Sequence, residues 1–542
     1  MRPHRIALSL LFLLLACSPE EREFSTGGAG GAGGEGGSGM SSSTGSGAVD
    51  CMPGETIACY SGPDGTKNVG LCVGGVQTCL PDQTGFGPCE GEIVPSPEDC
   101  ADPADENCDG APACGDALWS KGFGDPMGQR ATALATDKDG NVIMVGAFAG
   151  TVDFGMDVHV SAGSEDIFVV KLAPDGTTLW SRRFGDSLAD TAICVAVTPA
   201  GDIVVGGAFG GTVDFGNGPL TSAGSTDMFL LKLGSGGVTL WSKRFGDAAS
   251  QSVAAVTVDP AGNVLIAGGF LGVVDFGSSI LTSAGSNDVF VAKFSPPGTP
   301  IWAKSFGDAS SQSATSVATD AAGNIILAGP NTGVFDFGGG PIGGGVSTDI
   351  FVAKLEAGGG AHIWSKGFGD PSVQSVYGAG VDAQGNVAFG GRYGGSVDFG
   401  GGPLEPAVTG ENLYIAKLSP AGDFVFSRGF VTDFIKHTGG FAVDGIGNIL
   451  MTGYLAGTAD LGFGPVTSDL PSDLFVLKLD PEGKSLWARV FGADVDQQGR
   501  AIAADPKGHV LVAGTNEGLL DFGLGPIASA GLNDIFLAKL AP

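Results

Sequence analysis

The chain reads Leu240-Trp241-Ser242-Lys243-Arg244-Phe245-Gly246-Asp247 at the start of a unit that recurs along most of its length. The unit continues through the runs 256–259, 264–268 and 288–294 before the next tryptophan begins it again. Seven aromatic residues mark the recurrence at spacings of 61 or 62 residues: Trp119, Trp180, Trp241, Trp302, Trp364, Phe426 and Trp487. A fixed period of this length, filled with short apolar runs and glycine turns, is typical of a repeat architecture.

Each unit predicts four β-strands. The runs Val256–Asp259 and Val264–Gly268 flank a Pro-Ala-Gly-Asn turn, as in a hairpin. Val289–Phe294 is the third run, and Ile301–Phe306, which carries the next tryptophan, is the fourth. The second run is continuously apolar, which indicates an inner strand covered on both faces. No stretch of the repeats keeps the 3.6-residue periodicity of a helix, so the fold class is predicted to be all-β.

The two ends of the repeat region predict how the units assemble. The region enters on a tryptophan strand, 118–123, and leaves on a third strand, 534–540. If the entering strand completes the last unit, seven four-stranded blades close into a ring without open edges. The prediction is a seven-bladed β-propeller over 118–542, closed by the N-terminal strand, because an open solenoid would need distinct capping units.

The unit also resembles the SBBP-type β-propeller repeat of bacterial surface and secreted proteins. The matching residues form a Trp-x-Lys/Arg-x-Phe-Gly-Asp segment and a Val-Asp-x-x-Gly-Asn-Val-x-x-x-Gly segment, and the resemblance covers 118–542. It implies a propeller fold and no particular activity, since the family shares none.

Residues 1–17 are predicted to be a lipoprotein signal peptide. A basic start precedes the apolar run Ile6–Leu15, which is too short to span a bilayer well, and the segment ends Leu14-Leu15-Ala16-Cys17. This ending resembles the bacterial lipobox, in which the cysteine is diacylated and becomes the mature N-terminus. The resemblance implies lipidation of Cys17 and, because Ser18 rather than Asp follows, an outer-membrane anchor facing the cell surface or the periplasm. An ordinary signal or a membrane anchor is the alternative.

A flexible tether over 18–50 is predicted to follow the signal. Residues 25–50 are nearly all Gly, Ser, Thr and Ala, so they cannot bury enough apolar surface to fold.

A small Cys-rich acidic module is predicted over 51–117. It holds eight cysteines, at Cys51, Cys59, Cys72, Cys79, Cys89, Cys100, Cys108 and Cys114. An even count in a short exported segment predicts a disulfide framework of up to four bridges, with 105 possible pairings. Zinc is the competing interpretation, but the segment has no histidine and the export signal places it in an oxidising compartment.

The end of this module has the spacing of a calcium loop. Its five predicted ligands are Asp105, Asn107, Asp109, Ala111 through its carbonyl, and Asp116. Oxygen ligands at alternate positions, Gly110 at the sharp turn and a closing carboxylate are what Ca²⁺ requires. The closing residue is Asp where an EF-hand has Glu, and no helices flank the loop. The loop resembles a Cys-rich metal-binding motif of bacterial surface proteins, and the alternative is an acidic turn held by disulfides.

The repeats show little catalytic chemistry. The five histidines are not paired at metal-ligand spacing, the glycine-rich loops lack the Gly-Lys-Ser/Thr of a phosphate loop, and Cys194 is predicted to be a buried thiol. An Asp and a Lys recur in every blade, and these are interpreted as turn caps and inter-strand partners. A net charge of −31 disfavours nucleic acid and anionic membranes as partners, and the protein is expected to be monomeric.

Residues 364–486 depart most from the repeat. Phe426 replaces tryptophan, 430–437 replaces the Phe-Gly-Asp turn, and four of the five tyrosines lie in this region. Aromatic and arginine side chains are over-represented at recognition surfaces. The predicted ligand patch comprises Tyr377, Arg392, Tyr393, Tyr414, Lys436 and His437; neutral drift in a tolerant repeat is the alternative.

Two classes of function follow from these patterns. The favoured hypothesis is a non-catalytic, lipid-anchored cell-envelope protein whose propeller binds an unknown protein or glycan or serves as a scaffold. The alternative is a propeller hydrolase or lyase acting on extracellular polysaccharide, which would need acid/base pairs converging on the central channel. The only cofactor that the sequence suggests is calcium.

Overall fold

The computed structural model describes residues 51–63, 65–96, 106, 108, 114–345, 347–406, 410–492 and 495–542, without the side chains of 434–438 and 469–471. The predicted signal peptide and tether, including Cys17, lie outside the described residues. By their contacts the described residues form two compact units, one of 51–57 with 77–88 and one of 58–76 with 89–542. All regular elements in the described ranges are β-strands, which confirms the predicted fold class. Within those ranges there is no helix of the length and apolarity needed to cross a membrane.

The Cys-rich region contains the two short strands β1 (Thr56–Cys59) and β2 (Gly75–Thr78). Disulfides join Cys51 to Cys79, Cys59 to Cys89 and Cys72 to Cys108. Cys114 is disulfide-bonded as well, and Cys100 lies outside the described residues. The predicted disulfide framework is therefore confirmed for the described cysteines, and the structure selects these pairings from the many that the sequence allowed.

The repeats begin with β3 (Ala117–Phe123) and continue as seven similar groups of strands. Blade 1 holds β4 (Gln129–Thr136), β5 (Val142–Phe148), β6 (Thr151–Asp153), β7 (Val158–Val160), β8 (Asp166–Leu172) and β9 (Thr178–Phe184). Blade 2 holds β10 (Asp190–Val197), β11 (Ile203–Phe209), β12 (Thr212–Asp214), β13 (Pro219–Thr221), β14 (Asp227–Leu233) and β15 (Thr239–Phe245). Blade 3 holds β16 (Ala255–Val258), β17 (Val264–Phe270), β18 (Val273–Asp275), β19 (Ile280–Thr282), β20 (Asp288–Phe294) and β21 (Pro300–Phe306).

The remaining blades follow the same plan with local changes. Blade 4 holds β22 (Ser316–Thr319), β23 (Ile325–Asn331), β24 (Val334–Asp336), β25 (Pro341–Gly343), β26 (Asp349–Leu355) and β27 (His362–Phe368). Blade 5 holds β28 (Gln374–Val381), β29 (Val387–Tyr393), β30 (Asn412–Leu418) and β31 (Phe424–Phe430). Blade 6 holds β32 (Thr432–Val443), β33 (Ile449–Asp460), β34 (Pro465–Leu479) and β35 (Ser485–Phe491). Blade 7 holds β36 (Gln497–Ala504), β37 (Val510–Asn516), β38 (Leu519–Asp521), β39 (Pro526–Ala528) and β40 (Asp534–Leu540).

Every blade is a four-stranded antiparallel sheet, and the last one is closed by the N-terminal strand. The sheet order in blade 7 is β3-β40-β37-β36, with Trp119 opposite Lys539 and Phe123 opposite Ile535. This pairing leaves β40 with a neighbour on each side and removes the open edge that an incomplete last blade would present. The predicted seven-bladed ring and its mode of closure are confirmed.

The first strands of consecutive blades contact one another and line the central channel. The second and third strands are buried almost throughout, for example β5 and β8 along their whole length, because neighbouring blades cover both of their faces. Their continuous apolar composition is thus explained by burial on two sides.

A two-stranded hairpin that the sequence interpretation missed lies between the second and third strands of five blades, as in β18–β19. Its strands have three residues each, too few for a period-two pattern to be visible. The first strand of this hairpin, β18, ends at Asp275. Its Oδ1 accepts the N–H of Gly277 in the turn at 2.7 Å, and Gly277 has a φ of 83°. The recurring Asp is therefore a turn cap, as predicted, and the left-handed backbone explains the glycine that follows it.

The chain-closing role of β3 predicts that deleting Ala117–Phe123 destabilises the ring. Loss of the strand exposes the edge of β40 and removes the bond from Trp119 Nε1 to the carbonyl of Pro174, 3.0 Å long. We expect Tm to fall by about 5 °C or more and aggregation to rise, measured by scanning calorimetry with light scattering. Trp119→Phe, which copies Phe426 of blade 5, is the milder control. An unchanged melting curve for the deletion would contradict the closure.

Blade 2 carries a buried acid, Asp190, where five of the other six blades carry a glutamine. The equivalent positions are Gln129, Gln251, Gln312, Gln374 and Gln497. In blade 3 the amide of Gln251 donates to Asp247 Oδ1 at 2.7 Å, whereas Asp190 offers only oxygens and accepts the N–H groups of Asp186 and Gly210 at 2.9 and 3.0 Å. Burial, with the nearby charge of Asp186 adding to it, raises the pKa of Asp190 from 3.8 to about 7.

Asp190→Gln should therefore remove a pH-dependent loss of stability. Because the folded-state pKa is raised, the stabilisation by Asp190 is present below pH 4 and is lost as the pH rises towards 7. We expect the variant to gain stability over wild type progressively from pH 4 to 7, reaching on the order of a few kcal/mol, in urea unfolding at several pH values. The mirror variant Gln251→Asp should introduce a similar loss in blade 3. A stability difference that stays constant from pH 4 to 8 would exclude this explanation.

Candidate functional site

The side chains that line the centre of the channel come from one equivalent position in each first strand. These seven residues are Thr132, Ile193, Ala254, Thr315, Tyr377, Gly439 and Arg500, and all of them line one cavity. We call them the channel ring. Five blades have small or aliphatic residues at this position, so Tyr377 and Arg500 are the two large departures from the repeat.

A β-bulge places the ring residues. In blade 7 the register shifts between Gly499 and Ala501, which leaves Arg500 without a partner on β37. The same shift occurs around Thr132, Ile193, Tyr377 and Gly439. A bulge re-aims a side chain relative to the rest of its strand, so the position is suited to presenting groups to the channel.

A glycine on the second strand allows the backbone of the bulged first strand to approach it closely. A Cβ on Gly514 would lie 1.8 Å from the carbonyl oxygen of Gln498, and one on Gly146 would lie 2.0 Å from that of Arg130. Such distances are impossible for a side-chain carbon, so these positions need glycine for the close approach.

One mouth of the channel collects basic and aromatic side chains. A cavity of about 460 Å³ is lined by Arg130, Thr132, Ile193, Gly439, Tyr454, Gly499 and Arg500. Arg130 lies on β4, two residues before its ring residue, at a position where three other blades have serine. Tyr454 lies on β33 at the position that Arg392 holds on β29. We call this set of residues the channel mouth.

The arginines near the mouth differ in their partners. Both Nη atoms of Arg130 bond the carboxylate of Glu165, with Nη2 at 2.8 Å, and Arg392 pairs with Glu411 at 2.7 Å. Arg500 Nη2 donates to Gln498 Oε1 at 2.7 Å and forms no ion pair with any described residue.

Burial lowers the pKa of Arg500; the Tyr454 hydroxyl acts against this shift and the charge of Arg130 adds to it. Burial likewise raises the pKa of Tyr454, and Arg500 opposes that rise. The Arg500 guanidinium is thus open to water in the channel while the protein around it disfavours its charged form.

The residues of the predicted ligand patch lie in different parts of the propeller. Tyr377 lies in the channel ring and Arg392 lies near Tyr454. Lys436 and His437 lie on β32, with His437 opposite Tyr454 in register, and their side chains are outside the description.

The prediction was wrong for Tyr393 and Tyr414. Both are buried in the core of blade 5, with 1% and 0% of their surface exposed. Tyr414 packs against Phe399 with ring centroids 4.8 Å apart, at the position that Phe290 fills in blade 3 against Phe276. They are core aromatic residues with an added hydroxyl, so they cannot form part of a surface for a ligand.

Sequence interpretation missed Arg130 and Arg500. Alignment of the seven first strands on their final residues would have shown that both replace small residues. The comparison of whole blades instead directed attention to 364–486, because most departures lie there.

Four of the five predicted calcium ligands, Asp105, Asn107, Asp109 and Ala111, lie outside the described residues. Asp116 is described: its carbonyl accepts the N–H of Ala541 at 2.8 Å, and its carboxylate lies 3.6 Å from Arg489. The calcium loop therefore stays a prediction. Cys194, predicted to be a buried thiol, is free and buried, and burial raises its pKa.

No family model matches the chain. It is 23% identical over 506 residues to an uncharacterised WD repeat-containing protein, L264, of Acanthamoeba polyphaga mimivirus, covering 75% of this chain. The chain spans about a third (36%) of the length of that relative.

Among solved structures, the WD40 β-propeller domain of Doa1 is 10% identical with a TM-score of 0.36, covering 78% of this chain and 96% of that one. The β-propeller domain of the Trilobed protease from Pyrococcus furiosus is 11% identical with a TM-score of 0.37, covering 76% and 95%. By its own sheet topology, the chain is a β-propeller repeat protein with seven blades.

Proposed function

We propose that this protein is a non-catalytic binding protein of the bacterial cell envelope, anchored by a lipid on Cys17 and displayed on the 18–50 tether. Its propeller binds a protein or glycan in the channel, at the channel ring and the channel mouth. The observation that carries the proposal is the position of the large departures from the repeat. Tyr377, Tyr454 and Arg500 break the pattern at or beside the channel, whereas the blade cores keep it.

The proposal is based on the difference between residues that recur in every blade and residues that occur in one blade only. A residue that serves the fold is needed in every blade, but a residue that contacts a ligand at the channel is needed only once. Aromatic and arginine side chains give large contact areas at little entropic cost, and both dominate binding energetics. The mouth cavity, at about 460 Å³, is within the range of ligand sites.

The binding role is tested with Tyr377→Thr in the secreted form, read on an array of envelope and extracellular glycans and by binding to envelope proteins. Thr132 and Thr315 hold the same ring position, so the variant keeps a residue that the fold accepts. We expect bound ligands to lose roughly tenfold or more in affinity. The matched control is Phe463→Ala, which removes an exposed aromatic residue from the turn between β33 and β34 of blade 6. Loss with the control and none with Tyr377→Thr would move the site away from the channel.

The anchor is tested separately with Cys17→Ala. The alanine has no thiol to acylate, so the variant should leave the membrane fraction and stop incorporating labelled fatty acid. Cys194→Ala, which removes the buried free thiol, should behave as wild type in both assays. Continued membrane association and lipid labelling of Cys17→Ala would show that the anchor lies elsewhere.

A further inference from the structure

Arg500 differs from Arg130 and Arg392, the other two arginines near the channel mouth, in its lack of an ion-pair partner among the described residues. Arg130 and Arg392 each hold a glutamate of their own blade, Glu165 and Glu411, and these two glutamates occupy equivalent positions just before the third strand. Blade 7 has Asn533 at that position, just before β40 begins at Asp534. Arg500 itself lies at the ring position, two residues beyond the place that Arg130 holds on β4, and pairs with no carboxylate among the described residues.

The surroundings of Arg500 add to this imbalance. Arg130 lines the same cavity, and its charge acts against the protonated form of Arg500. An anion bound at the Arg500 guanidinium would offset this effect. Guanidinium groups bind carboxylates and phosphates through paired N–H donors, and the hydroxyl of Tyr454 and that of Thr132 line the same cavity.

We propose that the channel mouth binds an oxyanion group, a carboxylate or a phosphate, with Arg500 as its principal contact. The proposal rests on the binding role given above and specifies the chemistry of the ligand. Arg500 supplies the guanidinium fork, the Arg130–Glu165 ion pair lines one side of the cavity, and Tyr454 bounds the cavity with an aromatic wall. The cavity admits a ligand of the size of a monosaccharide or the end group of a longer chain.

The test uses the full chain with Cys17→Ala, titrated by calorimetry at fixed ionic strength with glucuronate, inorganic phosphate and glucose. We expect glucuronate, phosphate or both to bind with a Kd on the order of 1 mM, and glucose to bind at least about tenfold more weakly. Binding of only one anion identifies the source of the oxyanion. If neither anion binds more tightly than glucose, the proposal is overturned.

Arg500→Thr is the decisive variant, because Thr132 and Thr315 fill the same ring position in other blades. We expect it to weaken anion binding by roughly tenfold or more, as expected for loss of a charged hydrogen-bond pair. Arg244→Ser, which copies Ser305 of blade 3 on an outer strand, removes an equal charge and should leave binding unchanged. Equal effects of the two variants would mean a general charge effect, and the assignment to Arg500 would fail.

The outcome for this site is separable from that for the binding role. If Tyr377→Thr weakens binding of a glycan or protein while Arg500→Thr does not, the propeller binds a ligand at the channel but no oxyanion at Arg500. The binding role then stands and the oxyanion assignment falls.

Discussion

The ring depends on a buried ion pair that is repeated around it. In blade 3, Lys293 and Asp259 are almost fully buried and 2.9 Å apart, and Lys293 also donates to the carbonyl of Ala357 in blade 4 at 2.7 Å. Burial alone would raise the pKa of Asp259, but the hydrogen bonds of Asn263 and Lys293 hold it below its usual value. Removing one partner of such a pair leaves a buried charge and costs about 3–5 kcal/mol. Corresponding lysines form such a pair in six blades, with Asp202 as the partner in blade 2. In blade 3 the pair fixes the blade internally and fixes it to blade 4.

The tryptophan of each unit acts on the same junction. Trp241 donates from Nε1 to the carbonyl of Pro296 at 3.1 Å, and its ring lies against Gly298, whose φ is 84°. Lys232 reaches that same carbonyl at 3.3 Å. A lysine and a tryptophan of one blade thus share one turn of the next, which explains why these two residue types carry the period of the sequence. The bulge residues of the first strands take no part in these contacts, so the channel-facing positions can differ from blade to blade.

The sequence was sufficient to predict the strands, the number of blades and the closure, because each depends on a pattern repeated seven times. The sequence was not sufficient to place residues that depart from the repeat in a single blade. Tyr414 differs from Phe290 only by a hydroxyl and still fills the core, so judging it by residue type misplaced it. Arg500 was missed because whole blades were compared and most departures lie in 364–486, whereas this single replacement in blade 7 stands out only when the seven bulge positions are aligned. The three-residue strands of the small hairpins were too short to show any period.

The charge of the whole chain limits how a ligand reaches the channel mouth. Of the 27 basic residues, seven are the recurring lysines, all buried: Lys171, Lys232, Lys293, Lys354, Lys417, Lys478 and Lys539. With a net charge of −31, the distant field repels anions, although salt at physiological strength screens exposed charges beyond about 8 Å. Within the channel, Arg500 is the cation at the mouth that no described carboxylate balances, and at contact distance its charge is not screened in this way. An anion bound as proposed would therefore not be steered to this protein from afar, and its selectivity would have to come from contact with the few side chains of the mouth.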